Sequence, residues 1–171
     1  MLVFETERLN IRWLEVSDQE FIFKLLNEPG WLKYIIGDKG IRSLEDAKSY
    51  ILTGPRKMYE QFGFGLFMVE LKESKLPIGL CGLIKRDGLE DVDIGYAFLA
   101  EQQSKGYAFE SAKRTLEYAR KLGLDRIVAI TTKDNASSSK LLEKLGMSFE
   151  GYVTLPQSDE ELKLYAMNTA K

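Results

Sequence analysis

Six consecutive residues have the types and spacing to hold a phosphate: Gln103, Ser104, Lys105, Gly106, Tyr107 and Ala108. They stand between a strand pattern and a helix pattern. The first N–H groups of a helix have no partner within it, and the helix dipole is positive at that end. A phosphate oxygen can accept those N–H groups where no bulky side chain intervenes. Gly106 and Ala108 remove bulk at alternate positions, and Lys105 adds a positive charge. Neither Gly-x-x-x-x-Gly-Lys-Ser/Thr nor Gly-x-Gly-x-x-Gly occurs here, so the stretch is neither a nucleoside-triphosphate loop nor a dinucleotide fingerprint. The plain alternative is a strand-to-helix turn that needs a glycine.

The chain has no histidine and one cysteine, Cys81. Histidine-based nucleophile triads and histidine-ligated metal sites are excluded, and no metal is expected. Cys81 lies in the apolar run I-G-L-C-G-L-I and reads as a buried structural thiol. Acid–base chemistry must then come from carboxylates, tyrosines, hydroxyls, lysines or water. Asp93 shares one strand face with the small residues Gly95 and Ala97. Asn135 stands where a helix begins and suits an N-cap. Ser138, three residues on, falls on the same side of that helix start.

Residues 92–98 alternate Val92, Ile94, Tyr96 and Phe98 against Asp93, Gly95 and Ala97, a strand pattern. From residue 107, Ala108, Phe109, Ala112, Leu116 and Ala119 recur at helical spacing, with Glu110, Lys113, Arg114, Glu117, Arg120 and Lys121 on the outer face. Gly123 follows where a left-handed cap is expected. Upstream, residues 9–13 read as a first strand. Ser17 with Glu20 and Ser43 with Asp46 suit helix starts, and Gly54-Pro55 divides the second of these segments. Residues 64–71 and 78–85 read as a hairpin. Downstream, residues 126–132 form a β-branched strand, residues 134–145 a short helix, and residues 147–153 and 162–167 a closing hairpin. The predicted order is a strand, two or three short helices, three strands, a helix, a strand, a helix and two strands.

The 171 residues suffice for one domain, expected to run from 1 to 171. Hydrophobic content of 44% and charged content of 29% are those of an ordinary globular protein. No apolar run reaches the ~18 residues that span a bilayer, and the N-terminus lacks the blocks of a signal peptide. A cytoplasmic protein with no membrane association is expected. A net charge of −2 with no long basic run argues against nucleic-acid binding.

Residues 103–108 resemble motif A of the GNAT superfamily of acyl-CoA N-acetyltransferases, whose pattern is Gln or Arg, two residues, Gly, one residue, Gly or Ala. The predicted element order matches that family over essentially the whole chain. Residues 5–12 (E-T-E-R-L-N-I-R), 27–35 (N-E-P-G-W-L-K-Y-I) and 134–151, the family's motif B, resemble the branch of ribosomal-protein N-terminal acetyltransferases. The resemblance implies a mixed α/β (α+β) fold. Its mostly antiparallel, twisted seven-stranded sheet is flanked by helices, and strands four and five (residues 92–98 and 126–132) splay apart near Phe98. It implies that acetyl-CoA binds with its pantetheine arm against main chain freed at Ala97, Phe98 and Leu99. The pyrophosphate would lie on the N–H groups of Ser104 to Ala108, and Asn135 would bond the arm.

In this branch a serine at the position of Ser138 is proposed to stabilise or protonate the departing thiolate. Many GNAT enzymes instead place a tyrosine acid seven residues after the asparagine; Leu142 stands there in this chain. Asp93 matches a position where some members carry a catalytic glutamate and is the candidate base, working through water. Trp31, Tyr34 and Asp38 fall where the family builds its acceptor pocket. The implied activity is direct transfer of an acetyl group from acetyl-CoA to a primary amine in a ternary complex, by a monomer or homodimer.

The acceptor expected is an α-amino group of a protein N-terminus or amino acid. Such a group, at pKa ~7.7–8.0, is roughly 10% or more neutral at pH 7, whereas a lysine near ~10.4 is less than about 0.1% neutral. Two alternatives stand beside it. One is an acetyltransferase for a small amine, such as a polyamine, amino sugar or antibiotic. The other is a catalytically silent acyl-CoA-binding module.

Overall fold

Strand β5 (Val92–Phe98) is covered on both faces, and the rest of the chain is laid out by what covers each. The computed structural model describes residues 1–29, 40–156 and 158–169. Within them the strands are β1 (Leu2–Glu5), β2 (Leu9–Arg12), β3 (Leu66–Leu71), β4 (Pro77–Ile84), β5, β6 (Arg126–Thr132), β7 (Ser148–Val153) and β8 (Leu162–Asn168). The helices are α1 (Gln19–Leu26), α2 (Leu44–Thr53), α3 (Pro55–Phe62), α4 (Tyr107–Lys121) and α5 (Ala136–Lys144). Val92, Ile94 and Phe98 belong to one buried cluster with Ala112, Leu116 and Ala119 of α4 and Leu142 of α5. Ala97 belongs to a second cluster with Ile22 and Leu25 of α1 and Ala47 and Ile51 of α2. Alternation along the strand therefore sends successive side chains into different helical layers.

The sheet order is β1-β2-β3-β4-β5-β6-β8-β7, antiparallel except between β5 and β6. Gly79 faces Phe98 and Ile84 faces Asp93 along the full β4–β5 ladder. The parallel β5–β6 ladder holds only Val92 to Ile127 and Asp93 to Val128, and beyond them the strands part. The expected splay is present.

The described residues form eight strands where seven are expected. The addition is β1, which pairs with β2 through an irregular register and buries only Phe4. One buried position gives too little alternation to read as a strand.

Ser43 caps α2 as expected, its Oγ accepting the Asp46 N–H at 3.1 Å. The helix ends before Pro55, which opens α3. The predicted start at Ser17 is corrected: a 3-10 turn covers Val16–Asp18, and α1 begins at Gln19. Asp18 organises that start. Its carboxylate accepts the Glu15 N–H at 2.8 Å while Arg12 holds both its oxygens, at 2.9 and 3.0 Å.

Gly123 follows α4 at φ +83°, the left-handed backbone that terminates the helix. The outer face read for α4 is only partly exposed, because β1 and the turn after it pack there. Arg114 lies over the Phe4 ring, 4.9 Å from its centre, and Glu110 is bonded to that turn.

Candidate active site

The turn from β5 into α4 presents a run of unengaged donors. None of the N–H groups of Ser104 to Ala108 donates to a described acceptor. Ser104 has φ +63° and Gly106 φ +85°, and these two left-handed residues fold the chain back into the helix start. Gly106 is the N-cap. A side chain there would be strained, and its Cβ would lie 3.2 Å from Arg8 Nη2. Consecutive N–H groups at the start of a fifteen-residue helix fit a phosphate. Lys105 is exposed and stands off the adjoining cavity; its carbonyl accepts from Arg8 Nη1 at 3.0 Å.

Arg8 and Glu110 fasten this turn to the N-terminal strands. Arg8 Nε donates to Glu110 Oε1 at 2.7 Å, and the Arg8 N–H to Oε2 at 3.0 Å. The Thr6 hydroxyl donates to the same Oε2, and the Arg8 guanidinium lies 4.5 Å above the Tyr107 ring. Burial pushes the Glu110 carboxyl up, but the bonds from Thr6 and Arg8 outweigh it and leave it below its ordinary 4.5. A depressed carboxyl stabilises the fold fully above its unfolded value and loses that contribution as pH falls through the lower folded value. Glu110→Gln should therefore melt roughly 2–6 °C below the native protein at pH 7. The gap should close as pH falls below about 4. Melting followed by circular dichroism across that range checks this; a gap that persists at low pH removes the charge from the account.

From the turn, a cavity of about 830 Å³ runs into the β5–β6 gap and through to the α1–α2 side of the sheet. It brings together Asp93, Ala97, Phe98, Gln103, Ser104, Gly106, Tyr107, Ala108, Asn135 and Ser138, the residues expected at the site apart from Leu99 and Lys105 among those described. Trp31, Tyr34 and Asp38 lie outside the described residues.

The Leu99 N–H donates to Ile78 O at 3.1 Å. In an antiparallel ladder alternate residues turn their main chain to opposite neighbours. Leu99 and Ala97 thus face β4, while Phe98, Tyr96 and Ile94 face the gap. The free main chain expected at residues 97–99 narrows to the Phe98 N–H and extends back to Tyr96. The Phe98 carbonyl accepts from Gln103 Nε2 at 3.2 Å, a second tie between the strand and the phosphate turn.

Asn135 is the N-cap of α5, its Oδ1 accepting the Ser138 N–H at 3.2 Å. The three neighbouring serines are sorted by burial. Ser137 is exposed and Ser139 is buried with its hydroxyl unpartnered. Ser138 is half-buried on the cavity, with its Oγ 2.9 Å from the Tyr96 hydroxyl. Burial pushes the Tyr96 phenol up to about 12, against a smaller lowering by Ser138. Leu142 lies at the cavity's edge, 1% exposed and packed in the core, so a tyrosine there would have to displace core side chains. Cys81 is buried beside Thr115, and burial raises its thiol to about 11, which keeps it protonated and inert.

On the other side of the sheet, Asp93 is 1% exposed, and both its oxygens accept from Arg86 Nε at 3.1 Å. The expected base is therefore ion-paired inside the cavity wall. Tyr50 of α2 lines the same wall; burial pushes its phenol up to about 12, and nearby Arg86 tempers the rise. A Cβ at Gly95 would meet Ile84 Cδ1 at 3.1 Å, a close contact that this side-chain end can relieve by shifting a few tenths of an ångström.

The acetyltransferase (GNAT) domain family matches residues 8–148. This chain belongs to the GNAT family. An uncharacterized N-acetyltransferase of Bacillus subtilis, YnaD, is 31% identical over 158 residues, covering 91% of this chain and 89% of that protein. A GNAT-family acetyltransferase of Bacillus anthracis superposes with a TM-score of 0.81 at 29% identity, covering 100% of each chain. A RimL ribosomal L7/L12 alpha-N-protein acetyltransferase, solved with coenzyme A, superposes with a TM-score of 0.79 at 17% identity, covering 98% of each chain. The fold is thus the GNAT fold, and the chain is an acetyl-CoA-dependent acetyltransferase.

Four residues that line or brace this candidate site carry no readable signal of that role in the sequence. Alternation puts Tyr96 on the strand face it occupies, but nothing in its spacing signals a hydroxyl partner 42 residues away. Arg86 and Tyr50 sit in a loop and on a helix with no motif attached. Glu110 fits an outer-face pattern, and only the packing of residues 6–8 turns it into a fastener of the phosphate turn.

Proposed function

We propose that this GNAT enzyme transfers the acetyl group of acetyl-CoA directly to an α-amino group, of a protein N-terminus or an amino acid. The observation that carries the reading is the single cavity that joins the phosphate turn, the β5–β6 gap and the Tyr96–Ser138 pair. In this reading the thioester supplies an activated acyl group and a thiolate that can leave. The N–H groups of Ser104 to Ala108 hold the pyrophosphate. Main chain of Tyr96 and Phe98 bonds the pantetheine arm as an added strand, with Asn135 beside it. N–H groups of β5 polarise the thioester carbonyl. Ser138 donates to the departing sulfur, and Tyr96 donates to Ser138. The amine enters from the α1–α2 side, and its proton leaves through water to Asp93.

The acceptor preference follows from the base. A carboxylate near ~4 is a weak base for an ammonium at ~8–10, and Asp93 is additionally held by Arg86. With no histidine in the chain, an acceptor already partly neutral at pH 7 is favoured, and an α-amino group is one. The name of the RimL neighbour, an alpha-N-protein acetyltransferase, points the same way.

A competition assay tests this. Purified enzyme and acetyl-CoA are offered peptides with free or blocked N-termini, each with and without lysine, beside spermidine and an aminoglycoside. Free N-termini should be acetylated at least about tenfold faster than blocked lysine peptides. Faster acetylation of a blocked lysine peptide, or of spermidine, overturns the preference. Tight acetyl-CoA binding with no transfer to any amine moves the chain to a silent binding module.

A further inference from the structure

We infer that Arg86 recognises an oxygen on the carbon attached to the acceptor's amine-bearing carbon, so that the enzyme takes amines with a carbonyl or carboxylate at that position and passes over plain alkylamines. This rests on the transferase reading above and specifies its acceptor site.

Arg86 follows β4 and lines the acceptor side of the cavity, 18% exposed. A guanidinium carries five N–H donors in a planar fork. Nε carries one, and it serves Asp93. The four on Nη1 and Nη2 have no acceptor among the described residues. Neither terminal nitrogen is among the buried unpartnered atoms, so both open onto the water-filled cavity and can exchange that water for an acceptor oxygen. The pairing through Nε also fixes the direction of the fork. Asp93 holds the inner edge, and the two terminal nitrogens are left for the cavity.

A fork of parallel N–H groups matches a carboxylate in two contacts and a carbonyl in one or two. The Tyr50 hydroxyl adds a donor on the same wall, and its raised phenol keeps the proton at neutral pH. Around these polar groups the wall is apolar, formed by Leu26, Met58, Leu66 and Leu80. An amine flanked by an oxygen and a modest apolar side chain complements that wall. A polyamine offers no oxygen and brings further positive charge toward Arg86.

The test uses steady-state acetylation with acetyl-CoA as donor. Its acceptors are alanine, alaninamide, an alanine-initiated tripeptide, isopropylamine and spermidine. Each is compared between the native enzyme and Arg86→Lys, which keeps a positive charge for Asp93 but loses the fork. Taking the native-to-variant ratio for each acceptor cancels the different basicities of the amines. Acetyl-CoA affinity, expected within about twofold of native, reports that the variant is folded.

The ratio of kcat/KM should be about 10–100 times larger for alaninamide and the tripeptide than for isopropylamine, largely through acceptor KM, the isopropylamine ratio reporting what the substitution does to Asp93. Native enzyme preferring alanine itself assigns the fork to a free carboxylate; preference for the tripeptide assigns it to a peptide carbonyl. Equal ratios for alaninamide and isopropylamine overturn the inference, as does an unchanged alaninamide rate in Arg86→Lys. Transfer only to the plain amines sinks this inference and the α-amino preference, and leaves the acetyltransferase reading standing. Transfer to no amine sinks it together with the transferase reading.

Discussion

Gly106→Asp should weaken acetyl-CoA binding by at least about 100-fold while leaving the protein folded. The backbone at residue 106 has φ +85°, which a non-glycine residue adopts at roughly 1–2 kcal/mol. Aspartate is among the better-tolerated residues there. The atom nearest its Cβ is Arg8 Nη2 at 3.2 Å, the end of a flexible chain that can shift and pair with the new carboxylate. The fold should therefore survive with a Tm within a few degrees of native. Binding should not, because the new negative charge stands where the phosphates are to meet the N–H groups of Ser104 to Ala108. Like charges about 4 Å apart repel by about 4 kcal/mol at an effective dielectric of 20, close to a thousandfold in affinity. Gly106→Ala separates strain from charge and should lose no more than about tenfold. Calorimetry with acetyl-CoA reads both effects. Acetyl-pantetheine, which lacks the pyrophosphate, should be turned over equally by the native protein and both variants. Native affinity in folded Gly106→Asp would take the phosphates away from this turn.

What could be foreseen and what could not divides by range along the chain. The β5–turn–α4 unit, the caps at Ser43 and Asn135 and the break at Gly54-Pro55 are written in residues within four or five positions of each other. Their physics is local: a period, an orphan N–H, a fixed φ. The splay between β5 and β6 was foreseen only through family resemblance, because no residue pattern states where a ladder stops. Strand β1 escaped because one buried side chain, Phe4, is no alternation. The interactions that give the cavity its chemistry join distant residues: Tyr96 with Ser138, Arg8 with Glu110, Lys105 and Tyr107. Their geometry depends on sheet register and helix placement together. Even Arg86 and Asp93, seven residues apart, meet only because β4 and β5 pair with Ile84 opposite Asp93 and the chain returns past its own start.

Ser138→Ala should lower kcat about 100-fold and leave acetyl-CoA affinity within about threefold. The methyl fills nearly the same space, and Ser138 uses its N–H, not its hydroxyl, on Asn135, so the α5 cap is retained. What disappears is the hydroxyl that lies on the cavity and meets Tyr96 at 2.9 Å. Tyr96→Phe should lower kcat by less, about tenfold, because Tyr96 acts through Ser138 by donating to it and biasing its proton toward the sulfur. If the two hydroxyls form one chain, the double variant should be no slower than Ser138→Ala alone. Independent roles would instead multiply the two losses. Burial holds the Tyr96 phenol at about 12, so it stays protonated and the Tyr96→Phe deficit should be constant from about pH 6 to pH 9. Leu142→Tyr in the Ser138→Ala background should not restore turnover. Leu142 touches the cavity but is 1% exposed and packed into the core, so a phenol there overfills the space the leucine occupies and its hydroxyl has no set position against the sulfur. Single-turnover rates with a peptide acceptor make the measurement independent of product release. A native single-turnover rate in Ser138→Ala would reduce Ser138 to a helix-start hydroxyl and leave the thiolate of CoA to depart unaided, as its acidity near that of free cysteine, ~8.5, allows.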